Sequence, residues 1–132
     1  MDSDQLVRVA REARERAYAP YSRYRVGAAL LTADGVVVTG CNVENASYGL
    51  SCCAERAAVF AAVAAGHRKF VALAVATSNG AAPCGACRQV LREFAPNLAI
   101  HLASSDRRVR THRLGELLPD SFGPDCLGPE SA

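Results

Sequence analysis

The sequence predicts an α/β fold in which helices cover both faces of a sheet. Three observations carry the prediction. An amphipathic stretch opens the chain, a strong β-hairpin signal follows it, and helical segments then alternate with short apolar runs. A hairpin followed by α-β-α-β favours a helix-sheet-helix sandwich, because each apolar face must find another layer.

Residues 4–17 place Leu6, Val9, Ala10, Ala13 and Ala17 among charges, at the spacing of one helix face. Pro20 is expected to end that helix. Residues 26–32 and 36–40 are apolar runs flanking Ala33-Asp34-Gly35, and Asp-Gly in that setting marks a hairpin. Residues 41–51, rich in Asn, Ser and Gly, read as an irregular loop. Residues 53–65 are Ala-rich and predict a helix closed by Gly66. Beyond Arg56 this helix has almost no polar face, so it should be buried on most sides, which for a small domain points to an oligomer. Residues 70–76 suit a central strand. A loop carrying Asn79-Gly80 and Pro83 leads to a second helix over 85–94, then a strand over 98–102. Arg113 to Leu118 predicts a short helix stopped by Pro119, and residues 124–132 read as a loose tail. With no linker and no repeat, residues 1–132 are expected to form one catalytic domain.

At 132 residues the chain is long enough to bury a core, and a composition that is 50% apolar excludes a disordered class. A formal charge of +2 demands neither nucleic acid nor a membrane as partner. Arg107, Arg108, Arg110 and Arg113 form a small basic stretch, read as a solvated turn or a subunit contact. No apolar run approaches the about 20 residues that span a bilayer, and the polar, acidic N-terminus does not have the form of a signal peptide. The expected location is the cytoplasm. Thiols stay reduced there, so six cysteines point to metal or chemistry before disulfides.

The chemistry lies in Cys53-Ala54-Glu55 and Pro83-Cys84-Gly85-Ala86-Cys87. A C-x-x-C pair alone is ambiguous between a redox dithiol and half of a structural zinc site. At a helix start, however, both sulfurs face one end and the backbone N–H groups favour thiolate. Cys53, at the start of the other helix, supplies a third soft ligand. Three protein ligands leave one tetrahedral position open, which separates catalytic from structural zinc. Solvent at such a position is acidified to a pKa of about 7. Glu55, two residues past Cys53, can sit beside that position without binding the metal and act as general acid and base. A His or Cys, a nearby non-ligand Glu and a later P-C-x-x-C is the known pattern of zinc nucleobase deaminases. Three thiolates around Zn²⁺ carry a net negative charge, and Arg56 is the candidate to draw density from the sulfurs. Cys41, Cys52 and Cys126 lack ligand spacing and read as small packing residues.

Beyond this pattern, Pro20-Tyr21-Ser22, Val26 to Leu30, Gly40 to Tyr48, Cys53 to Arg56, Pro83 to Val90 and Glu116 to Pro119 resemble the small homotetrameric cytidine deaminases, in family order and over nearly the whole chain. The resemblance implies a three-layer α-β-α sandwich with a five-stranded mixed sheet. It implies one Zn²⁺ per subunit and a homotetramer with active sites shared between subunits. The implied reaction converts cytidine and deoxycytidine to uridine and deoxyuridine with release of ammonia, in pyrimidine salvage. By carry-over, Asn42 and Glu44 match the binders of the ribose hydroxyls and the backbone of Ala54 matches the contact to the base carbonyl. Phe122 matches a ring that reaches a neighbour's pocket, and Tyr48 a position lining a neighbouring site.

Two departures stand out. Tyr24 occupies a position where many members have Phe against the substrate, and its hydroxyl needs a partner. The loop before Pro83 is short, which alters the rim of the pocket. Blasticidin S deaminases and nucleic-acid-editing deaminases share the general site. The Asn42-Val43-Glu44-Asn45 loop and Phe122 favour plain cytidine over the former. The low charge and the cysteine in the first ligand position argue against the latter. A closed structural zinc module would need a fourth ligand, and His67, His101 and His112 lack the spacing.

Overall fold

The computed structural model describes residues 1–128. In chain order it contains α1 (Ser3–Arg14), β1 (Gly27–Thr32), β2 (Val37–Cys41), α2 (Ala54–Ala64), β3 (Phe70–Ala76), α3 (Gly85–Phe94), β4 (Ala99–Ala103), β5 (Val109–Arg113) and α4 (Leu114–Leu117). The strands form one mixed sheet in the order β2-β1-β3-β4-β5. Only β3 and β4 run parallel; the other pairs are antiparallel.

Strand periodicity sorts the two faces by size. Leu30, Leu73, Val75, Ile100 and Leu102 join α2 and α3 residues in the larger core. Ala29, Ala74, Ala76 and Ala103 face α1, where Leu6, Val7 and Ala10 fill the space. Successive residues of a strand point to opposite faces, so this alternation makes a sandwich with α1 on one side and α2 and α3 on the other. The alanine face lets α1 lie close to the sheet.

The β1–β2 hairpin forms at the expected turn, with Gly35 at φ 87 and Thr32 N–H bonded to Val36 O at 2.8 Å. Gly66, at φ 94, closes α2. β3 and α3 occupy 70–76 and 85–94.

Several expectations need correction. The first helix ends at Arg14, short of Pro20, although Ala17 remains buried in the turns that follow. Its start is fixed by a capping box between Asp2 and Gln5. The loop over 41–51 is tied down: Val43 pairs with both Tyr18 and Cys52, and residues 48–50 form a 3₁₀ turn. The basic stretch is no solvated turn throughout, since Val109–Arg113 is the edge strand β5. A charged edge strand resists pairing with other chains. The last helix is correspondingly shorter and begins at Leu114. The tail is not loose at its start: Pro124–Cys126 forms a 3₁₀ turn, and Arg92 pairs with Asp125 at 2.8 Å. The rest of that expectation, over 129–132, lies outside the described residues. Cys126 is exposed, not packed, and Cys41 and Cys52 are half-buried. In the chain alone, α2 buries Ala54, Glu55, Ala58, Val59 and Ala62 but leaves Phe60 and Ala61 exposed.

Candidate active site

Two helix starts face each other across one end of the larger core. Cys53 is the N-cap of α2 and Cys84 the N-cap of α3. Each has extended backbone, so its side chain projects past the first turn, where unpaired N–H groups favour negative charge. The Cys84 sulfur accepts a hydrogen bond from Cys87 N–H at 3.5 Å.

Gly40 on β2 allows α2 to approach the sheet. A Cβ there would lie 2.4 Å from Ala54 O and 2.6 Å from Ala58 N. α3 is placed by Arg88, whose guanidinium bridges Pro83 O at 2.8 Å and Leu117 O at 2.7 Å.

The Sγ atoms of Cys53, Cys84 and Cys87 all lie within 4.8 Å of one another. Cys53 and Cys84 are 3.9 Å apart, and Cys84 and Cys87 are 3.4 Å apart. A tetrahedral ion with Zn–S bonds of about 2.3 Å holds its sulfurs about 3.8 Å apart. The three sulfurs therefore fit zinc in both donor type and spacing. Cys87 is buried, Cys53 half-buried and Cys84 exposed, so the cluster opens to one side. All six cysteines are free thiols.

Charge around the cluster is specific. Cys53 is pushed down to about 5, first by a hydrogen bond from Cys87 and then by the Arg56 guanidinium. The same sharing pushes the Cys87 thiol up. Arg56 Nη2 lies 3.3 Å from the Cys53 sulfur, and its buried Nε has no hydrogen-bond partner among the described residues. Glu55 is 5% exposed, and burial drives its carboxyl up to about 7, helped by the charge of Cys53. A buried carboxyl titrating near neutrality beside a sulfur cluster suits proton transfer at neutral pH.

The loop residues occupy built positions. Asn42 accepts Val26 N–H at 2.8 Å on Oδ1 and donates to Tyr24 O at 2.8 Å, leaving one amide hydrogen over. Glu44 accepts the N–H groups of Tyr21 and Ser22 at 2.9 and 3.1 Å, and the Ser22 hydroxyl as well. Those bonds, the Ser22 hydroxyl first, hold its carboxyl below the ordinary range. Glu44 lines a cavity of about 280 Å³ with Tyr21, Ser22, Tyr48 and Ser51. Ala54, at the first turn of α2, is fully buried.

The aromatic candidates divide. Tyr24 is half-buried, and its hydroxyl donates to Asn79 Oδ1 at 2.7 Å. Tyr48 is 75% exposed and meets Tyr21 edge-on at 5.9 Å between centroids. Phe122 is 60% exposed, while its backbone is pinned: Gln89 donates to Phe122 O at 2.9 Å and Arg92 to Ser121 Oγ at 2.8 Å. Among the described residues nothing buries either ring.

The sequence reading missed Ser22, Asn79, Gln89 and Arg92. Asn79-Gly80 is legible as a turn, but nothing local shows that its amide meets Tyr24, 55 residues away.

Residues 1–102 match the family model described as the cytidine and deoxycytidylate deaminase zinc-binding region. The chain belongs to the cytidine deaminase family. It is 49% identical over 125 residues to a cytidine deaminase of Halalkalibacterium halodurans, covering 92% of this chain and 95% of that one. It is 51% identical over 123 residues to a cytidine deaminase of Mycobacterium tuberculosis strain H37Rv, covering 92% and 90%. Its fold superposes on the crystal structure of a cytidine deaminase from Burkholderia pseudomallei with a TM-score of 0.90, at 54% identity over 92% of this chain and all of that one. Membership makes the chain a hydrolytic deaminase and zinc its cofactor, in agreement with the sulfur cluster.

Proposed function

We propose that this chain hydrolyses the 4-amino group of cytidine and deoxycytidine, giving uridine and deoxyuridine plus ammonia, in pyrimidine salvage. The observation that supports this most is a buried Glu55 beside three converging sulfurs that fit zinc and open to one side. Cys53, Cys84 and Cys87 hold the metal. Bound zinc supplies a Lewis acid that makes hydroxide available at neutral pH.

The remaining steps belong to the chain. Glu55 takes a proton from the attacking water and delivers it to pyrimidine N3, which makes C4 electrophilic. After oxygen has bonded to C4, Glu55 carries the second proton to the exocyclic amine. The C4–N bond then breaks and ammonia leaves. The water oxygen stays as the new carbonyl, and N3 keeps its proton.

The other residues position the nucleoside. The remaining Asn42 amide hydrogen and the one lone pair left on Glu44 Oε2 suit the sugar hydroxyls, and a carboxylate already held ionised is the better acceptor. The first-turn N–H of Ala54 suits the base carbonyl, and Tyr24 forms a wall. Tyr48 and Phe122, exposed among the described residues, serve neighbouring sites in a homotetramer. Arg56 neutralises sulfur charge. The enzyme works in the cytoplasm as one catalytic domain. No helix among the described residues is long and apolar enough to cross a membrane.

Metal analysis of the purified protein, paired with a spectroscopic cytidine-to-uridine assay, tests the reading. Zinc and turnover are expected together. Glu55→Gln should keep zinc and lose about 10²–10⁴-fold in kcat. A zinc-loaded Glu55→Gln protein with full activity would overturn the assignment.

A further inference from the structure

We infer that Asn79 is a positioning residue for substrate, acting through the Tyr24 hydroxyl. The inference rests on the proposed placement of Tyr24 against the nucleoside.

Tyr24 is held at both ends. Its backbone N–H donates to Ser22 Oγ at 3.0 Å, and its carbonyl accepts from Asn42 Nδ2 at 2.8 Å. Ser22 in turn donates to Glu44. One end of Tyr24 is therefore wired to both sugar-side candidates. The other end, the phenolic hydroxyl, reaches Asn79 Oδ1 at 2.7 Å. Asn79 lies in the segment that joins β3 to α3 and delivers Cys84 to the sulfur cluster. Tyr24 thus spans the sugar side and the metal side of the site.

Asn79 is a firm anchor. Its backbone pairs with Ser104 at the end of β4. Its side-chain oxygen also accepts Ala81 N–H at 3.2 Å and the Thr77 hydroxyl at 3.3 Å. The next residue, Gly80, is fixed from two sides: its N–H donates to Thr77 Oγ1 at 2.7 Å, and its carbonyl accepts from Arg110 of β5 at 2.8 Å. Gly80 has φ 71, so the turn needs glycine there. A ring tethered to such a turn loses the freedom to swing about its side-chain torsions. Substrate then meets a wall already in place.

The arrangement predicts that changes at the two residues do not add. Removing the hydroxyl leaves a phenyl ring that can still stack but has lost its tether. Removing the acceptor cuts the same tether from the other side: the contact is exposed, so water takes up the hydroxyl while the ring becomes free to move. Tyr24→Phe and Asn79→Ala should therefore raise KM to a similar extent, and the double variant should be no worse than either alone.

The test is a double-mutant cycle on zinc-loaded protein with cytidine, reading KM, kcat and zinc content for each variant. Asn79→Ala is expected to raise KM by about threefold to tenfold with kcat within about twofold, the size of one hydrogen bond. Zinc content stays unchanged. Asn79→Asp, which keeps an acceptor oxygen, should hold KM near that of the parent. Tyr24→Phe combined with Asn79→Ala should raise KM no further than either change alone. Additive effects of the two changes, or an Asn79→Ala protein with unchanged KM, would overturn the inference while leaving the reaction intact. No turnover of cytidine by the zinc-loaded parent would overturn the underlying reading, and this inference with it.

Discussion

The guanidinium of Arg56 lies 3.3 Å from the sulfur of Cys53, one helical turn along α2. The contact puts a fixed positive charge against a cluster that carries three sulfur anions when loaded. Zn²⁺ with three thiolates has a net negative charge, which opposes both further ligation and ionisation of nearby solvent. In the proposed site Arg56 would offset that charge from within the helix that Cys53 caps. Residues that tune metal ligands typically carry about 10–100-fold in metal affinity or activity. Arg56→Gln is expected to lose that much in one or both. Chelator competition and kcat of the fully loaded protein measure the two separately. No change in either would show the guanidinium to be a packing group only.

Glu55 gives a pH prediction of definite sign. Burial raises its carboxyl from the ordinary 4.5 to about 7. The folded protein therefore holds this proton more tightly than the unfolded chain does. The stability contribution is complete below about pH 4.5 and is lost as pH rises through about 7. At most the loss corresponds to about 3 kcal/mol. Glu55→Gln removes the ionisation and with it the loss. The Tm difference, variant minus parent, should grow from pH 4.5 to 7 and then level off at matched zinc content. A difference that shrinks over that range would contradict the sign.

The fold was legible wherever one residue pattern decided one element. β3 is a run of apolar residues between polar ends, and α3 starts at a C-x-x-C whose first cysteine caps it. The sulfur cluster was legible because three cysteines sat at two such starts. β5 was not, because Val109–Arg113 is an edge strand with mostly exposed side chains, three of its five residues being Arg or His. No apolar periodicity survives in such a strand; it is defined by its pairing with β4. The end of α1 was misplaced because Ala17 keeps helical spacing while its burial comes from turns. The Tyr24–Asn79 contact was invisible for a different reason: it joins two loops through the ends of two side chains.

Gly40 tests how tightly the site depends on the sheet. A Cβ at this position would sit 2.4 Å from Ala54 O, a backbone atom that cannot move without α2. α2 begins at Ala54 and is capped by Cys53, so its displacement also moves one sulfur of the cluster. Overpacking of this kind costs about 1–3 kcal/mol. Gly40→Ala should lower Tm and zinc affinity together. Thermal unfolding with and without chelator checks it. A destabilised protein that binds zinc normally would show that the sheet and the cluster are uncoupled.

The outward face of α2 supplies the last prediction. Phe60 is 53% exposed in the chain alone, with Ala61 exposed beside it. The preceding 3₁₀ turn leaves Tyr48 and Leu50 exposed at 75% and 72%. Large apolar side chains left exposed on a helix and on the turn before it suit a surface for association. In a homotetramer that surface would be covered by other subunits, and sites completed across it would fail when it opens. Phe60→Glu places a charge where a partner would have to desolvate it, a cost the contact cannot absorb without a counter-ion. Light scattering should show loss of the tetramer, with cytidine turnover falling in step while zinc stays bound. An intact, active tetramer in this variant would move the subunit contact off the Phe60 face of α2.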